Sequence, residues 1–267
     1  MKIRLLPSAF TRSYPDSVAP TAQPLTSFVV KGARGAGPLA IDAGSLGLVG
    51  EADHMGCVRE VLLTHAHIDH IATLPMWIEG VLSLDRAPVR IHGTRETIAA
   101  LRAHLFNDVL YPNFEQLSDS RGRQLLEYGE VPTDSSFSLA GFTIQAFQTN
   151  HPIPTHGYAL DDGDNAVVFA ADGGPSDALW NAVRSCPRVR AVVLETSFPD
   201  ALLHIAEGSG HMTPALLRAE LEKAPKDLRI LVCHLKPAHR EGITRLLKAA
   251  RDPRIELFLP GTQVEIR

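Results

Sequence analysis

The sequence contains little cysteine, in no arrangement that would pair it. Cys57, Cys186 and Cys233 are odd in number, far apart and never part of a Cys-x-x-Cys pair. This pattern offers no disulfide framework and is typical of a reducing compartment, so we expect a cytoplasmic protein. Cys233 lies within the apolar run RILVCHL, and we expect it to be a buried core residue.

Long apolar runs and a basic excess are missing too. No stretch approaches the roughly 20 apolar residues of a membrane span. The segment MKIRLLPSAF has only a few apolar residues before Pro7, which predicts a first strand and no signal peptide. The net charge of −4 argues against a nucleic-acid backbone as the main partner. We therefore expect neither membrane nor nucleic-acid binding.

Glycine-rich phosphate loops are also absent. GARGAG at 32–37 and GSLGLVG at 44–50 match neither G-x-G-x-x-G nor the Gly-Lys-Ser/Thr ending of a P-loop. The first cluster separates two apolar runs, which favours a hairpin. We predict turns at both places.

What the sequence does contain is a series of short β-branched runs and several helical patterns. With 45% hydrophobic and 21% charged residues, its 267 residues have the composition of an ordinary globular protein. We predict strands at 27–30, 38–42, 61–65, 89–92, 142–149, 166–172, 191–197, 229–234 and 255–260, and helices at 94–106, 175–183, 213–224 and 237–250. This order predicts two mixed sheets with helices outside. We find no linker, which predicts a single domain over 1–267 with a surface insertion near 107–136.

Ionisable side chains follow five of the apolar runs. THAHIDH at 64–70 follows VLL, and His151, Asp172, Glu195 and His234 each stand at the end of another predicted strand. Strand ends at one edge of a sheet bring together residues that are distant in sequence. Because four unpartnered ionisable groups beside a buried strand end would be costly to desolvate, THAHIDH predicts a metal site.

The spacing within the motif HxHxDH suits two cations. His65 and His67, two residues apart in extended chain, project to the same side and can share one ion. Asp69 and His70, at the start of a helix, can turn toward a second ion. Imidazole and carboxylate ligands suit Zn²⁺, with Mn²⁺ or Fe as alternatives. A pair of such centres with open positions is the arrangement expected of a hydrolase.

Along nearly its whole length the sequence resembles the metallo-β-lactamase superfamily. The resemblance implies an α+β fold, an αββα sandwich of two mixed β-sheets flanked by helices, with a dinuclear site on one edge. It also implies that Asp172 bridges the two ions and that the full ligand set is His65, His67, Asp69, His70, His151, Asp172 and His234.

The C-terminal third resembles the class II 3′,5′-cyclic-nucleotide phosphodiesterases, which are related to the tRNA 3′-processing endonucleases. The resemblance rests on Glu195 followed by Thr and Ser, on GHMT at 210–213 and on HLKP at 234–237. It implies hydrolysis of a small phosphodiester, cAMP or cGMP, by a metal-bridging hydroxide that Asp69 and Asp172 orient.

Five further residues have expected roles. His211 is the candidate general acid, with Glu195 holding its other ring nitrogen. The alternatives are a surface histidine that caps a helix for His211 and an ordinary salt bridge at a strand end for Glu195. Lys236 is expected to place a positive charge near the phosphate, or else to be a solvated loop lysine. His156 is expected to line the substrate pocket, or else to bond to loop backbone. Asp42 is expected to accept a hydrogen bond from a ligand histidine, or else to cap a helix.

Three other hypotheses compete with this one. A metal-binding or structural protein with a degenerate site is disfavoured because every expected ligand position is filled. A tRNA 3′-end endonuclease is disfavoured by the net negative charge and by the lack of a Gly/Pro-rich basic arm. A β-lactamase or thioesterase-like hydrolase would have no evident use for GHMTP and HLKP. A homodimer stays open, because members of related groups often form dimers.

Overall fold

Two seven-stranded β-sheets form the centre of the computed structural model, which describes residues 1–7, 25–49, 58–84 and 88–267. In spatial order, the first sheet consists of β14 (Gln263–Glu265), β1 (Lys2–Leu5), β2 (Phe28–Lys31), β3 (Leu39–Ile41), β4 (Glu60–Leu62), β5 (Val89–Gly93) and β6 (Leu126–Glu130). The second consists of β13 (Ile255–Leu257), β12 (Arg229–Cys233), β11 (Val189–Glu195), β10 (Ala166–Phe169), β9 (His156–Asp161), β8 (Phe142–Gln148) and β7 (Ser136–Leu139).

Both sheets are mixed. In the first, the pairings from β14 to β3 are antiparallel and those from β3 to β6 are parallel. In the second, the pairings from β7 to β10 are antiparallel and those from β10 to β13 are parallel. The predicted pair of mixed sheets is therefore confirmed.

Helices cover the outer faces of the two sheets. Within the described residues they are α1 (Ile68–Ile71), α2 (Leu74–Ser83), α3 (Arg95–His104), α4 (Asp177–Ser185), α5 (Leu203–Gly208), α6 (Pro214–Leu221) and α7 (Arg240–Ala249). Single 3-10 turns lie at Leu46–Leu48, Phe114–Gln116, Asp200–Leu202 and Pro237–His239. Thr94 and Thr213 cap α3 and α6 through their hydroxyls, as predicted. Ser176 precedes α4 but makes no such bond.

Alternation along the strands distributes apolar side chains among three layers. In β2, Phe28 and Val30 belong to the core between the sheets, whereas Val29 faces the layer that contains Trp77 of α2. A third cluster packs β10 to β12 against α4, α6 and α7, with Trp180 fully buried. This is the αββα sandwich of the metallo-β-lactamase fold.

The observed elements include all the predicted strands and helices, although their ends differ by a few residues. The first segment forms β1, as predicted, and 32–37 joins β2 to β3 as a hairpin. The stretch 107–136, predicted as a surface insertion, holds a 3-10 turn, but its residues 126–130 are the edge strand β6. The single domain and its insertion stay predictions.

The remaining expectations concern cysteines, turns and membranes. Cys233 is buried in the core between the sheets, as predicted, and Cys186 is a half-buried free thiol. Cys57 and Gly50, the last residue of the second glycine cluster, lie outside the described residues. No helix in the described part of the chain is long and apolar enough to span a membrane.

Candidate metal centre

The motif HxHxDH connects β4 to α1 and is anchored through its main chain. The amide of Ala43 donates to the carbonyl of His70 at 2.7 Å, and the amide of Thr26 donates to the carbonyl of Asp69 at 2.8 Å. His67 has extended dihedral angles just before α1 begins. The histidines at 65 and 67 therefore leave extended chain, whereas Asp69 and His70 leave the first turn of a helix, as the spacing predicted.

All seven predicted ligands lie together where the two sheets meet. The ring nitrogen Nδ1 of His67 is 3.0 Å from Nε2 of His65 and 3.2 Å from Nε2 of His151. On the other side, Nε2 of His234 is 3.3 Å from Oδ2 of Asp69. Two groups result whose donor atoms all lie within 4.8 Å of one another: His65, His67 and His151, and Asp69, His70 and His234.

Asp172 lies between the two groups. Its Oδ2 is 3.4 Å from Nε2 of His70 and 3.6 Å from Nε2 of His234. Asp172, His65 and His70 again have donor atoms within 4.8 Å of one another. One carboxylate thus reaches donors of both groups, which is the position that a bridging ligand needs.

A second nitrogen fixes the orientation of most of these imidazoles. Four rings bond outward through Nδ1, which leaves Nε2 facing the cluster: His65 to Thr64 Oγ1 at 2.9 Å, His70 to Asp42 Oδ2 at 2.7 Å, His151 to the Gly210 carbonyl at 3.0 Å and His234 to Ser197 Oγ at 3.0 Å. His67 is the exception, because its Nδ1 faces the cluster. Such outer bonds select the tautomer whose free nitrogen can bind a metal.

The residues present fit a metal pair. Nitrogen atoms bound to one Zn²⁺ at about 2.1 Å in a tetrahedron lie about 3.4 Å apart, close to the spacings around His67. Nε2 of His70 is buried and has no hydrogen-bond partner, although its ring is held by Asp42. A bound cation would satisfy that nitrogen. The fold family implies divalent metal binding, and these His/Asp clusters are consistent with it.

Burial and neighbouring charges shift the pKa values of the clustered histidines in opposite directions. Burial, reinforced by the charge of His70, lowers the pKa of His65 well below its usual range, and burial also lowers the pKa of His151. Neutral imidazole is the form that binds metal. Burial alone would lower the pKa of His70, but the charges of Asp172 and Asp42 raise it well above its usual range. The same negative charges would favour a metal cation there.

Glu195 and His211 form a buried pair beside the cluster. Glu195 ends β11, and its Oε1 is 2.5 Å from Nδ1 of His211, which follows α5. Nδ1 of His211 is also 4.0 Å from Oδ2 of Asp172. Burial would lower the pKa of His211, but the charge and hydrogen bond of Glu195 raise it above its ordinary value. The contact predicted between Glu195 and a ring nitrogen of His211 is therefore present.

Lys236 and His156 were both predicted to contact substrate. In the structure the two residues have different surroundings. Lys236 is half-buried at the start of the Pro237–His239 turn, with its ammonium 5.3 Å from the centre of the Phe198 ring. His156 begins β9, is 3% exposed, and its Nε2 is 3.0 Å from Oγ1 of Thr133. Its partner is thus a side chain and not loop backbone. The substrate-binding roles of Lys236 and His156 stay predictions.

Asp42 was predicted either to support a ligand histidine or to cap a helix. It does the first, because its Oδ2 accepts from His70, while Thr64 donates to it through both its amide at 2.8 Å and its hydroxyl at 2.9 Å. The backbone of Asp42 has a φ of 60°, in the left-handed region. Ala171 and His234, also at strand ends of the site, have φ angles of 59° and 56°. Backbone strain of this kind concentrates at functional sites.

Sequence reasoning missed two buried hydroxyl residues. Thr64 links Asp42 to His65, and Ser197 donates to Oε2 of Glu195 at 2.6 Å while its Oγ lies 3.0 Å from Nδ1 of His234. Ser197 thereby joins the Glu195–His211 pair to His234, one of the predicted metal ligands. Their position in the sequence could have pointed to them, because both residues stand at the end of a predicted buried strand, next to the other site residues.

The comparisons with known proteins agree with this geometry. A family model described as a β-lactamase superfamily domain matches residues 49–235. The chain belongs to this superfamily. Among solved structures, the superfamily fold of this chain is similar to that of unliganded yeast PDE1, with a TM-score of 0.72 and 19% identity over 98% of each chain. At that identity the likeness concerns the fold alone.

Two relatives of this superfamily member have names that state an activity. One is the "Probable 3′,5′-cyclic-nucleotide phosphodiesterase" of Yersinia pestis, 25% identical over 76% of this chain and 66% of the relative. The other is a ribonuclease Z of Mycobacterium sp. (strain KMS), 32% identical over 45% of this chain and 44% of the relative. The match therefore spans less than two thirds of each relative's own length. The chain has the fold and the His/Asp clusters of a metal-dependent hydrolase.

Proposed function

We propose that this protein is a phosphodiesterase that depends on two divalent cations and hydrolyses 3′,5′-cyclic nucleotides such as cAMP and cGMP. The observation that carries the proposal is the buried Glu195–His211 pair beside Asp172. A hydrolase whose leaving group is an alkoxide needs a proton donor, and an imidazole held by a carboxylate at the edge of the metal cluster provides one.

Each cation would have its own set of ligands. His65, His67 and His151 would hold the first, and Asp69, His70 and His234 the second, with Asp172 shared between them. Zn²⁺ suits these donors, with Mn²⁺ or Fe as alternatives. When bound, such a pair supplies an activated water nucleophile and stabilises charge on the phosphate oxygens.

Asp69 and Asp172 orient the water that attacks the phosphate. Oδ2 of Asp69 lies 3.3 Å and Oδ2 of Asp172 lies 3.6 Å from Nε2 of His234. Asp172 is 4% exposed, whereas Asp69 is half-buried. Asp69 is thus the carboxylate within reach of solvent, and we assign it the hydrogen bond that orients the attacking water.

His211 completes the reaction on the leaving side. Glu195 holds Nδ1, so Nε2 is the nitrogen that donates a proton to the departing oxygen. Within the described residues, Nε2 of His211 has no hydrogen-bond partner. The negative charge of Glu195 stabilises the imidazolium before transfer, which is what a general acid at neutral pH requires.

A small substrate is supported by charge and by one relative. The net charge of −4 offers little attraction to a long polyanion. The match to the relative from Yersinia pestis, which is named as a probable cyclic-nucleotide phosphodiesterase, covers 76% of this chain, whereas the match to ribonuclease Z covers 45%. A cytoplasmic location would place the enzyme beside such substrates.

One observation favours a second candidate, a tRNA 3′-end endonuclease. The ribonuclease Z relative has the higher identity, 32%, over the part that aligns. Its substrate is a nucleic acid, which would require a positively charged surface for the phosphate backbone.

The deciding experiment loads the purified protein with zinc, counts the metal per chain and tests a substrate panel. The panel contains cAMP, cGMP, 2′,3′-cyclic nucleotides, bis(p-nitrophenyl) phosphate, pre-tRNA and nitrocefin. We expect about two ions per chain and turnover of the cyclic nucleotides. Cleavage of pre-tRNA without cyclic-nucleotide turnover would select the endonuclease, and turnover of nitrocefin alone would refute both.

A further inference from the structure

Phe198 lies beside the proposed proton donor and is fixed there by its main chain. The amides of Ser197 and Phe198 both donate to the carbonyl of Met212, at 3.1 and 3.2 Å. These bonds tie the end of β11 to the segment that carries His211. The half-buried Phe198 ring meets the His211 ring edge-on, with centroids 5.7 Å apart and an angle of 62°.

Lys236 approaches the same ring from the end of β12. Its ammonium is 5.3 Å from the ring centroid, which is within the range of a cation–π contact. Its carbonyl accepts from the amide of His239 at 2.9 Å, so the backbone there is fixed as the start of a 3-10 turn. Within the described residues, no carboxylate lies at salt-bridge distance from this ammonium. Among these residues, the contact that the Lys236 ammonium makes is thus with an aromatic face and not with an acid.

The contact between Lys236 and Phe198 suits a site that is proposed to bind two cations. A lysine beside two divalent ions is repelled by them, and its four-carbon side chain is free to turn into solvent. Pairing it with a carboxylate would hold it but would also neutralise the charge that an anionic substrate needs. The face of a phenyl ring attracts the ammonium while leaving its net charge intact.

We infer that Phe198 is a positioning residue that holds the Lys236 ammonium beside His211, where it contacts the phosphate oxygens of the substrate that are not displaced. The inference rests on the proposed phosphodiesterase function and adds a residue to it. Phe198 itself contacts no reacting atom. Its contribution is to order Lys236 before the substrate arrives, which lowers the entropic cost of binding.

The test compares Phe198→Leu, Phe198→Trp, Lys236→Met and the Leu/Met double variant, with cAMP as substrate. We expect Lys236→Met to raise KM about tenfold and Phe198→Leu about threefold, with kcat changed little. Because both act through one ammonium, the double variant should be no worse than Lys236→Met alone. Phe198→Trp keeps a ring face and should leave the KM close to that of the wild type. Lys226→Met removes an exposed lysine before β12 and should change nothing.

A binding readout separates this inference from the proposed function. Calorimetric titration of the zinc-loaded protein with inorganic phosphate should show the same order of variants as KM does. Additive KM effects, or phosphate affinity unchanged in Phe198→Leu, would overturn the role of Phe198. If the wild type hydrolyses no phosphodiester, the proposed function fails, and phosphate binding alone then decides whether Phe198 positions Lys236. Equal melting temperatures and zinc contents among the variants exclude a folding effect.

Discussion

Gly44 lies against the main chain of Asp69 so closely that a Cβ atom at Gly44 would meet the Asp69 carbonyl oxygen at 1.9 Å. The contact lets the loop after β3 pack onto the first turn of α1, where the amide of Thr26 also binds that oxygen. Gly44 therefore sets the position of a predicted metal ligand without touching its side chain. Backbone cannot yield as a flexible side chain can, so any larger residue must displace α1.

We expect Gly44→Ala to lower the free energy of unfolding by about 1–3 kcal/mol, as overpacking does. Displacement of Asp69 and His70 should also reduce zinc content. Denaturant unfolding and metal analysis measure the two effects. Gly242→Ala is the matched control, because a Cβ there meets nothing within 4 Å and lies in α7. It should stabilise the protein by about 0.5–1 kcal/mol. Equal stability of both variants would contradict the close approach.

Asp42 should control metal affinity through the ring of His70. Asp42→Asn keeps the shape of the side chain but removes the negative charge of the carboxylate, whose Oδ2 accepts a hydrogen bond from Nδ1 of His70 at 2.7 Å. We expect zinc affinity to weaken about 10- to 100-fold, as for other partners of ligand histidines. Competition with a chromophoric chelator measures it. Asp227→Asn, at an exposed carboxylate, should leave the affinity unchanged. Wild-type affinity in Asp42→Asn would mean that the ring is oriented by other contacts.

The general-acid role of His211 predicts a dependence on the leaving group. His211→Ala should lower kcat for cAMP by about 10²- to 10⁴-fold, because a ribose alkoxide needs a proton as it departs. The weakly basic p-nitrophenolate leaves without one, so hydrolysis of bis(p-nitrophenyl) phosphate should fall far less. His211 also lies within 4.8 Å of donors on Asp172 and His234. Equal losses for both substrates, with zinc lost as well, would show that it serves as a ligand instead.

The environment of Asp162 predicts that the protein loses folding stability at acidic pH, independently of the candidate metal centre. Burial would raise the pKa of Asp162, but hydrogen bonds from the amides of Asn165, Ala33 and Asp164 hold it below its usual value. A carboxyl with a lower pKa in the folded state stabilises the fold above its unfolded pKa, about 3.9, and loses this contribution as the pH falls through the folded value. The hydrogen bond to Ala33 also ties the first sheet to the second.

Asp162→Asn should therefore lower the melting temperature by a constant amount between pH 6 and 8. The difference from wild type should shrink once the pH falls below about 4, where the wild-type carboxyl is protonated in the unfolded chain. Thermal melts across this range, performed on metal-free protein, measure it. Asp164→Asn, on a half-exposed surface carboxylate, serves as a control with little expected effect. A pH-independent difference would assign the effect of Asp162 to shape alone.

Sequence patterns predicted the strands that end at the site, because β-branched runs such as AVVF of β10 are buried and continuous. They missed β9, whose residues HGYALD begin with histidine and glycine and have no β-branched member. They also missed α2, which is apolar almost throughout and has no side-chain cap. Its burial against the first sheet, and not its periodicity, makes it a helix.

The predicted ligand residues could be recognised from sequence because their spacing is local or follows strand ends. Most of their supporting contacts could not, because they join residues that are distant along the chain. The bond between Thr64 and its neighbour His65 is local, and the bond between Asp42 and His70 was one of two alternatives that the sequence offered for Asp42. Gly210 accepts from His151 across 59 positions, and Ser197 reaches His234 across 37. Gly44 was predicted as a turn residue, whereas its packing against Asp69 depends on the fold of both segments.

The ligand groups draw on both halves of the sandwich. His65, His67, Asp69 and His70 follow β4 of the first sheet, whereas His151, Asp172 and His234 follow strands of the second. Each cation would thus act as a cross-link between the sheets, with donors from both on every ion. Metal loading should then stabilise the contact between the sheets as well as supply chemistry, since a ligand that binds only the folded state shifts the unfolding equilibrium. The metal-bound form, which is the form proposed to be active, would then also be the form in which the two sheets are held together most firmly.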